Sequence, residues 1–133
     1  MHLRRALDYL PGFVAARLHL AEIDARRGAV AAAIAGLERV ADSGDPEVLA
    51  LLGQLHAATD PVRGARETET ARLRFEELLA RQPLAFADHA AEFYLGAGAD
   101  PERAWRLASA NYAERKTERA RQLLERADRA RVR

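Results

Sequence analysis

The sequence predicts an all-α fold assembled from antiparallel helix pairs, and three observations predict it. Apolar residues recur at helical spacing almost throughout, with no strand-like alternation. Asp-Pro steps and glycines punctuate the chain where helices should start and stop, leaving only short loops. Pro11, Pro46 and Pro83 stand 35 and 37 residues apart, and another 34 residues lead to Thr117. Short loops make neighbouring helices antiparallel, and each proline interval has room for two of them.

Helices are expected over roughly 2–10, 13–27, 30–42, 46–58, 61–81, 84–97, 101–115 and 117–131. The first presents Leu3, Ala6, Leu7 and Leu10 as an apolar stripe and ends at Pro11-Gly12. Gly28 stops the second. The third turns Val30, Ala33, Ile34, Leu37, Val40 and Ala41 to one face, and Gly44 closes it. Asp45-Pro46-Glu47 opens the fourth: Asp accepts from the orphan amides of the first turn, and Pro has no amide to leave unpaired. Asp60-Pro61 opens the fifth, whose apolar face is Ala71, Phe75, Leu78 and Leu79. Pro83 precedes the sixth, and Gly96-Ala97-Gly98 stops it. Asp100-Pro101-Glu102 opens the seventh, where Trp105, Ala108 and Tyr112 share a face at core spacing. Thr117 can N-cap the eighth, with Ala120, Leu123, Leu124 and Ala127 inward and Arg121, Gln122, Glu125 and Arg129 mostly outward.

A period near 34 residues holding two helices resembles the tetratricopeptide repeat family, over essentially the whole chain. The first unit matches with Leu20-Ala21 and Ala33-x-x-x-Leu37. The second matches with Leu49-x-x-Leu52-Gly53-x-x-His56, Ala71-x-x-x-Phe75 and Pro83, the third with Ala90-Ala91-x-x-Tyr94 and Ala104-x-x-x-Ala108. The resemblance implies a right-handed α-solenoid: a partial repeat over 1–11, units over approximately 12–45, 46–82 and 83–116, and a capping helix over 117–133. Ala21, Gly53 and Ala91 should let paired helices approach closely, as should Ala33, Ala71 and Ala104. Two departures stand out. Arg17 and Asp24 replace aromatics in the first unit, and about six extra residues around 59–64 lengthen either a turn or a helix. Residues 1–10 read as the second half of a repeat whose first helix is missing.

Composition bounds the function. With 133 residues, 49% apolar and 31% charged, the chain can bury a core and is not disordered by composition. A formal net charge of +1 gives no whole-chain case for nucleic acid or membrane. There is no cysteine for a disulfide or a thiolate metal site. No run approaches the ~18 apolar residues of a membrane span, and the start lacks the pattern of a signal peptide. The expected localisation is cytoplasmic. His2, His19, His56 and His89 do not make a metal site. His89 and Glu92 share a helix face, but a helical two-metal centre needs Glu-x-x-His twice and two further acids. His56 is expected to pack where the family often has an aromatic. Gly96-Ala97-Gly98 follows a helix, so it is no phosphate loop. The only serines, Ser43 and Ser109, have no partnered base. No catalysis, cofactor or metal is expected.

The resemblance implies a concave groove, lined by the first helix of each unit, that receives an extended or helical peptide. The candidates are Leu18, Glu22 and Arg26 in the first unit, Ala50 and Gln54 in the second, and Asp88 and Glu92 in the third. The basic clamp by which one subclass holds the acidic tails of heat-shock chaperones is absent at these positions. Three carboxylates favour a basic or amphipathic partner instead. The leading reading is a non-catalytic protein–protein interaction scaffold. The second is self-assembly, a homodimer through Leu3, Leu7 and Leu10. The third is nucleic-acid binding by the basic C-terminal helix, since residues 115–133 hold eight basic and three acidic side chains, a local net of +5.

Overall fold

The structure, a computed structural model, describes the backbone from residue 11 and side chains from Phe13 to Arg133. The expected 2–10 helix, with Leu3, Leu7 and Leu10, lies outside the described residues. Within them the fold is all-α, with seven helices: α1 Pro11–Arg26, α2 Val30–Glu38, α3 Pro46–His56, α4 Pro61–Arg81, α5 Ala87–Leu95, α6 Pro101–Glu114 and α7 Glu118–Arg131. The chain forms two compact units, Met1–Ala71 and Arg72–Arg133, with α4 contributing its first half to one and its second half to the other.

In the first unit α1 packs on α2, α2 on α3, and α1 on α3. Val14, Leu18, Ala21, Ala33, Leu37, Val40, Val48 and Leu52 form its core. Leu18, expected on the ligand-facing side, is only 8% exposed. It stands four residues after Val14 and three before Ala21, on the stripe that α1 turns toward its neighbours, so it is a core residue. Gly28 and Gly44 end their helices in the left-handed region, at φ +80° and +76°. A side chain is rarely tolerated there. The third expected helix stops early, at Glu38. A 3₁₀ turn at Ala41–Ser43 follows, and the amides of Val40 and Ser43 bond three residues back, to Leu37 and Val40. That tightening tucks Val40 fully into the core.

The extra residues after Gly53 lengthen the helix rather than the turn. Asp60 accepts from the Arg63 amide at 3.2 Å, so α4 starts at once and runs 21 residues. Its early Gly64 meets Gly53 backbone to backbone: a Cβ at Gly64 would lie 2.8 Å from the Gly53 carbonyl oxygen. His56 is buried, as expected, with more than packing around it. Nδ1 donates to Glu67 of α4 at 2.6 Å, and Nε2 faces Glu38 of α2 at 3.8 Å. Arg63 closes the cluster on Glu38 at 3.1 Å and on Glu67 at 3.6 Å.

The second unit repeats the packing pattern: α5 on α6, α6 on α7, and α5 on α7. Ala87, Ala90, Ala91, Ala104 and Ala108 are all buried, so backbones approach closely where the helices pair. Phe75 of α4 stacks on Phe93 of α5 with ring centroids 5.0 Å apart. Thr117 caps α7 by accepting from the Ala120 amide at 3.1 Å. Ala120, Leu123 and Ala127 are buried, and the Arg131 guanidinium lies 3.6 Å from the Trp105 ring centre. The last helix thus has one apolar and one polar face.

Three helices of this unit are tied by Glu76 of α4, Tyr94 of α5 and Arg103 of α6. Tyr94 donates its hydroxyl to Glu76, and Arg103 reaches the same carboxylate at 2.6 Å and 3.3 Å. Burial pushes the Glu76 carboxyl up, but the bonds from Arg103 and Tyr94 and the Arg103 charge outweigh it and hold it below the usual range. Burial, then the bond to Glu76, raises the Tyr94 phenol to about 12. The signs give opposite windows. The Glu76 contribution is present above the ordinary carboxylate range and is lost as pH falls through its depressed value. The Tyr94 contribution is present below the ordinary value of 10 and is lost as pH rises toward 12. Thermal midpoints measured from pH 8 to 12 should therefore decline, and Tyr94→Phe should flatten that decline. An unchanged slope in the variant would remove Tyr94 as its source.

Candidate functional site

A cleft of about 230 Å³ opens in the second unit. α5 supplies Asp88, His89 and Glu92, the end of α6 supplies Asn111 and Arg115, and the start of α7 supplies Thr117, Arg119, Ala120 and Leu123. The three-residue link 115–117 between α6 and α7 builds it. Arg115 and Thr117 are both extended, and α7 turns back at once from its Thr117 cap. That brings Arg115 and Arg119 to the same mouth, with Asn111 on the floor one turn before the end of α6.

Asn111 is 4% exposed and its Oδ1 has no hydrogen-bond partner. A buried amide oxygen without a donor costs free energy, on the order of 1–3 kcal/mol. Such an atom calls for an explanation in a ligand or water. Glu92 is not an open carboxylate. Arg126 of α7 grips it with both guanidinium nitrogens, at 2.8 Å and 2.9 Å, in the planar fork that suits a carboxylate. That bond is the main cause of the raised Arg126 pKa. Asp88 accepts only from the His89 amide, at 2.9 Å, and has the His89 ring nitrogen at 3.9 Å. Arg115 and Arg119 have no side-chain partner among the described residues. The cleft therefore holds two open guanidiniums against one open carboxylate.

Of the residues named from the sequence, Asp88 and Glu92 meet in this cleft, one turn apart on α5. Glu22 and Arg26 are exposed on α1, and Gln54 is exposed and Ala50 half-buried on α3, all in the first unit. A hollow of about 280 Å³ between α1 and α2, walled by Leu20, Ala21, Ala32 and Ala35 among others, includes none of these four. The preference for a basic ligand rested on three open carboxylates, and the Arg126 fork removes one of them.

Sequence reasoning missed Asn111, Arg115 and Arg119. Asn111 had a readable signal: it continues the buried stripe Ala104, Leu107, Ala108, and a polar residue on an apolar stripe is costly unless it has a task. Arg115 and Arg119 had none beyond the basic tail as a whole, which the structure breaks into pairs. Arg121 bonds Glu118 and Glu125, Arg126 bonds Glu92, and Arg131 bonds Asp128 and covers Trp105. Lys116 covers Tyr112 at 4.9 Å.

No helix among the described residues is long and apolar enough to cross a membrane. No group of three or more His, Asp or Glu among them converges as a metal site would require. No curated protein and no solved structure shows a significant match to the chain. A family model does match residues 1–55, and its description is tetratricopeptide repeat. The match ends in α3, so it spans both helices of the α1–α2 pair and most of the next. Residues 1–55 of this chain are thus similar to tetratricopeptide repeats, and the helices described there pair as such repeats do.

Proposed function

We propose that the chain is a non-catalytic protein-interaction scaffold and that its second unit receives a peptide segment in the cleft between α5 and α7. The repeat supports the coarse reading, since helical repeats of this kind serve mainly as binding surfaces. The observation that carries the site is Asn111. A side-chain amide offers one acceptor and two donors, which is the complement of a peptide group. The Asn111 side chain lines the cleft, and its buried Oδ1 lacks the donor that a bound group would supply. The adjoining Ala120 and Leu123 offer apolar contact, and the charged mouth supplies selectivity.

Blocking the cleft tests this. His89 is exposed on α5 at its wall, so His89→Trp should fill the opening with little effect on folding. Proteins retained by the wild type, purified and titrated back, should bind this variant at least tenfold more weakly while the circular dichroism and thermal midpoint stay the same. Equal affinity for the two would remove the cleft as the binding site.

A further inference from the structure

We propose that the first unit pairs with a second copy of the chain through the outward faces of α1 and α2. Both helices are apolar on two sides. One side of α1 builds the core through Val14, Leu18 and Ala21. On the other side Phe13 is exposed and Leu20 is 56% exposed. α2 carries no polar side chain from Val30 to Leu37. Its Ala33 and Leu37 are buried, while Val30, Ala31, Ala32 and Ala35 are exposed. A helix that is apolar all round belongs in a buried setting, and an exposed apolar patch marks an interaction surface. Where the chain leaves a helix face to water it makes that face polar: α7 exposes Gln122, Glu125 and Arg129.

Shape and charge point to a second copy as the occupant. The hollow of about 280 Å³ lies in this face, lined by Ala32, Ala35 and Gly36, with Leu20 at its wall. No described atom stands within 4 Å of where a Gly36 Cβ would lie. A projecting side chain therefore sits beside a recess with room for one. That is the self-complementarity of a two-fold contact, in which Leu20 of each copy enters the recess of the other. The rim carries both signs, Asp24 with Arg17 and Arg39. Two copies can then meet cation to anion rather than like to like.

The test is sedimentation of the full chain from about 1 to 200 µM, a range over which a reversible dimer grows by mass action. The expected result is a monomer–dimer equilibrium that weakens at least tenfold in Leu20→Glu and in Ala35→Glu, because each places an unpaired charge in a desolvated contact. Both positions are exposed, so the circular dichroism and thermal midpoint of dilute samples should not change. The chain has no cysteine, which allows a site-specific check with a short bismaleimide linker. Leu20→Cys mixed with Ala35→Cys should give more linked dimer than either variant alone, since Leu20 of one copy faces Ala35 of the other. A wild type that stays monomeric to the highest concentration would overturn the proposal, as would a dimer of undiminished affinity in either glutamate variant. Loss of the dimer in Leu3→Glu/Leu7→Glu with full affinity in Leu20→Glu would overturn it by moving the contact to residues 1–10. A monomeric wild type whose thermal midpoint falls in Leu20→Glu would overturn it by showing the face covered within its own chain.

Discussion

Phe75→Ala should cost about 3–5 kcal/mol of stability, the range for emptying a buried aromatic site. Phe75 is 2% exposed and its ring lies on Phe93. Phe93 in turn meets Tyr94 edge-on at 5.1 Å, so the cavity would open at the base of the helix carrying Asp88 and Glu92. Phe75→Leu keeps most of the volume and should cost far less, under about 1.5 kcal/mol. Urea midpoints of the two variants decide the matter. Equal midpoints would mean that the ring is not a packing element.

Gly64→Ala and Gly36→Ala should move stability in opposite directions. Both glycines lie in helices, where alanine gains roughly 0.5–1 kcal/mol over glycine. Gly36 has open space around its missing Cβ, so its variant should show that gain. At Gly64 the new carbon would lie 2.8 Å from the Gly53 oxygen and 3.1 Å from the Ala57 nitrogen, both backbone atoms that cannot swing aside. Overpacking of this kind costs about 1–3 kcal/mol, which outweighs the propensity gain, and Gly64→Val should cost more again. If Gly64→Ala stabilised the protein, the close crossing of α3 and α4 would be wrong.

Helix order was legible because its signals are local. Asp45, Asp60, Asp100 and Thr117 were readable as N-caps from the residues beside them, and each accepts a first-turn amide in the structure. The small residues Ala33, Ala71 and Ala104 were readable from the repeat spacing, and all three are fully buried. Local signals misplaced ends where long-range packing decides. The 30–42 helix gave way to a 3₁₀ turn because Val40 is drawn into the core.

The sequence by itself determined an all-α chain of paired helices, since periodicity, caps and glycine stops act within a few residues of one another. It also marked Asp88 and Glu92 as near neighbours, because four residues make one helical turn. Tertiary structure alone decided which charges remain open. Glu92 and Arg126 are 34 residues apart, as Glu76 and Arg103 are 27 apart, and neither pair has a sequence signature. The balance of the cleft follows from those contacts. Charge counted along the chain measures how much is present, but a ligand meets only what the fold leaves unpaired, and that depends on which distant helices come to lie side by side.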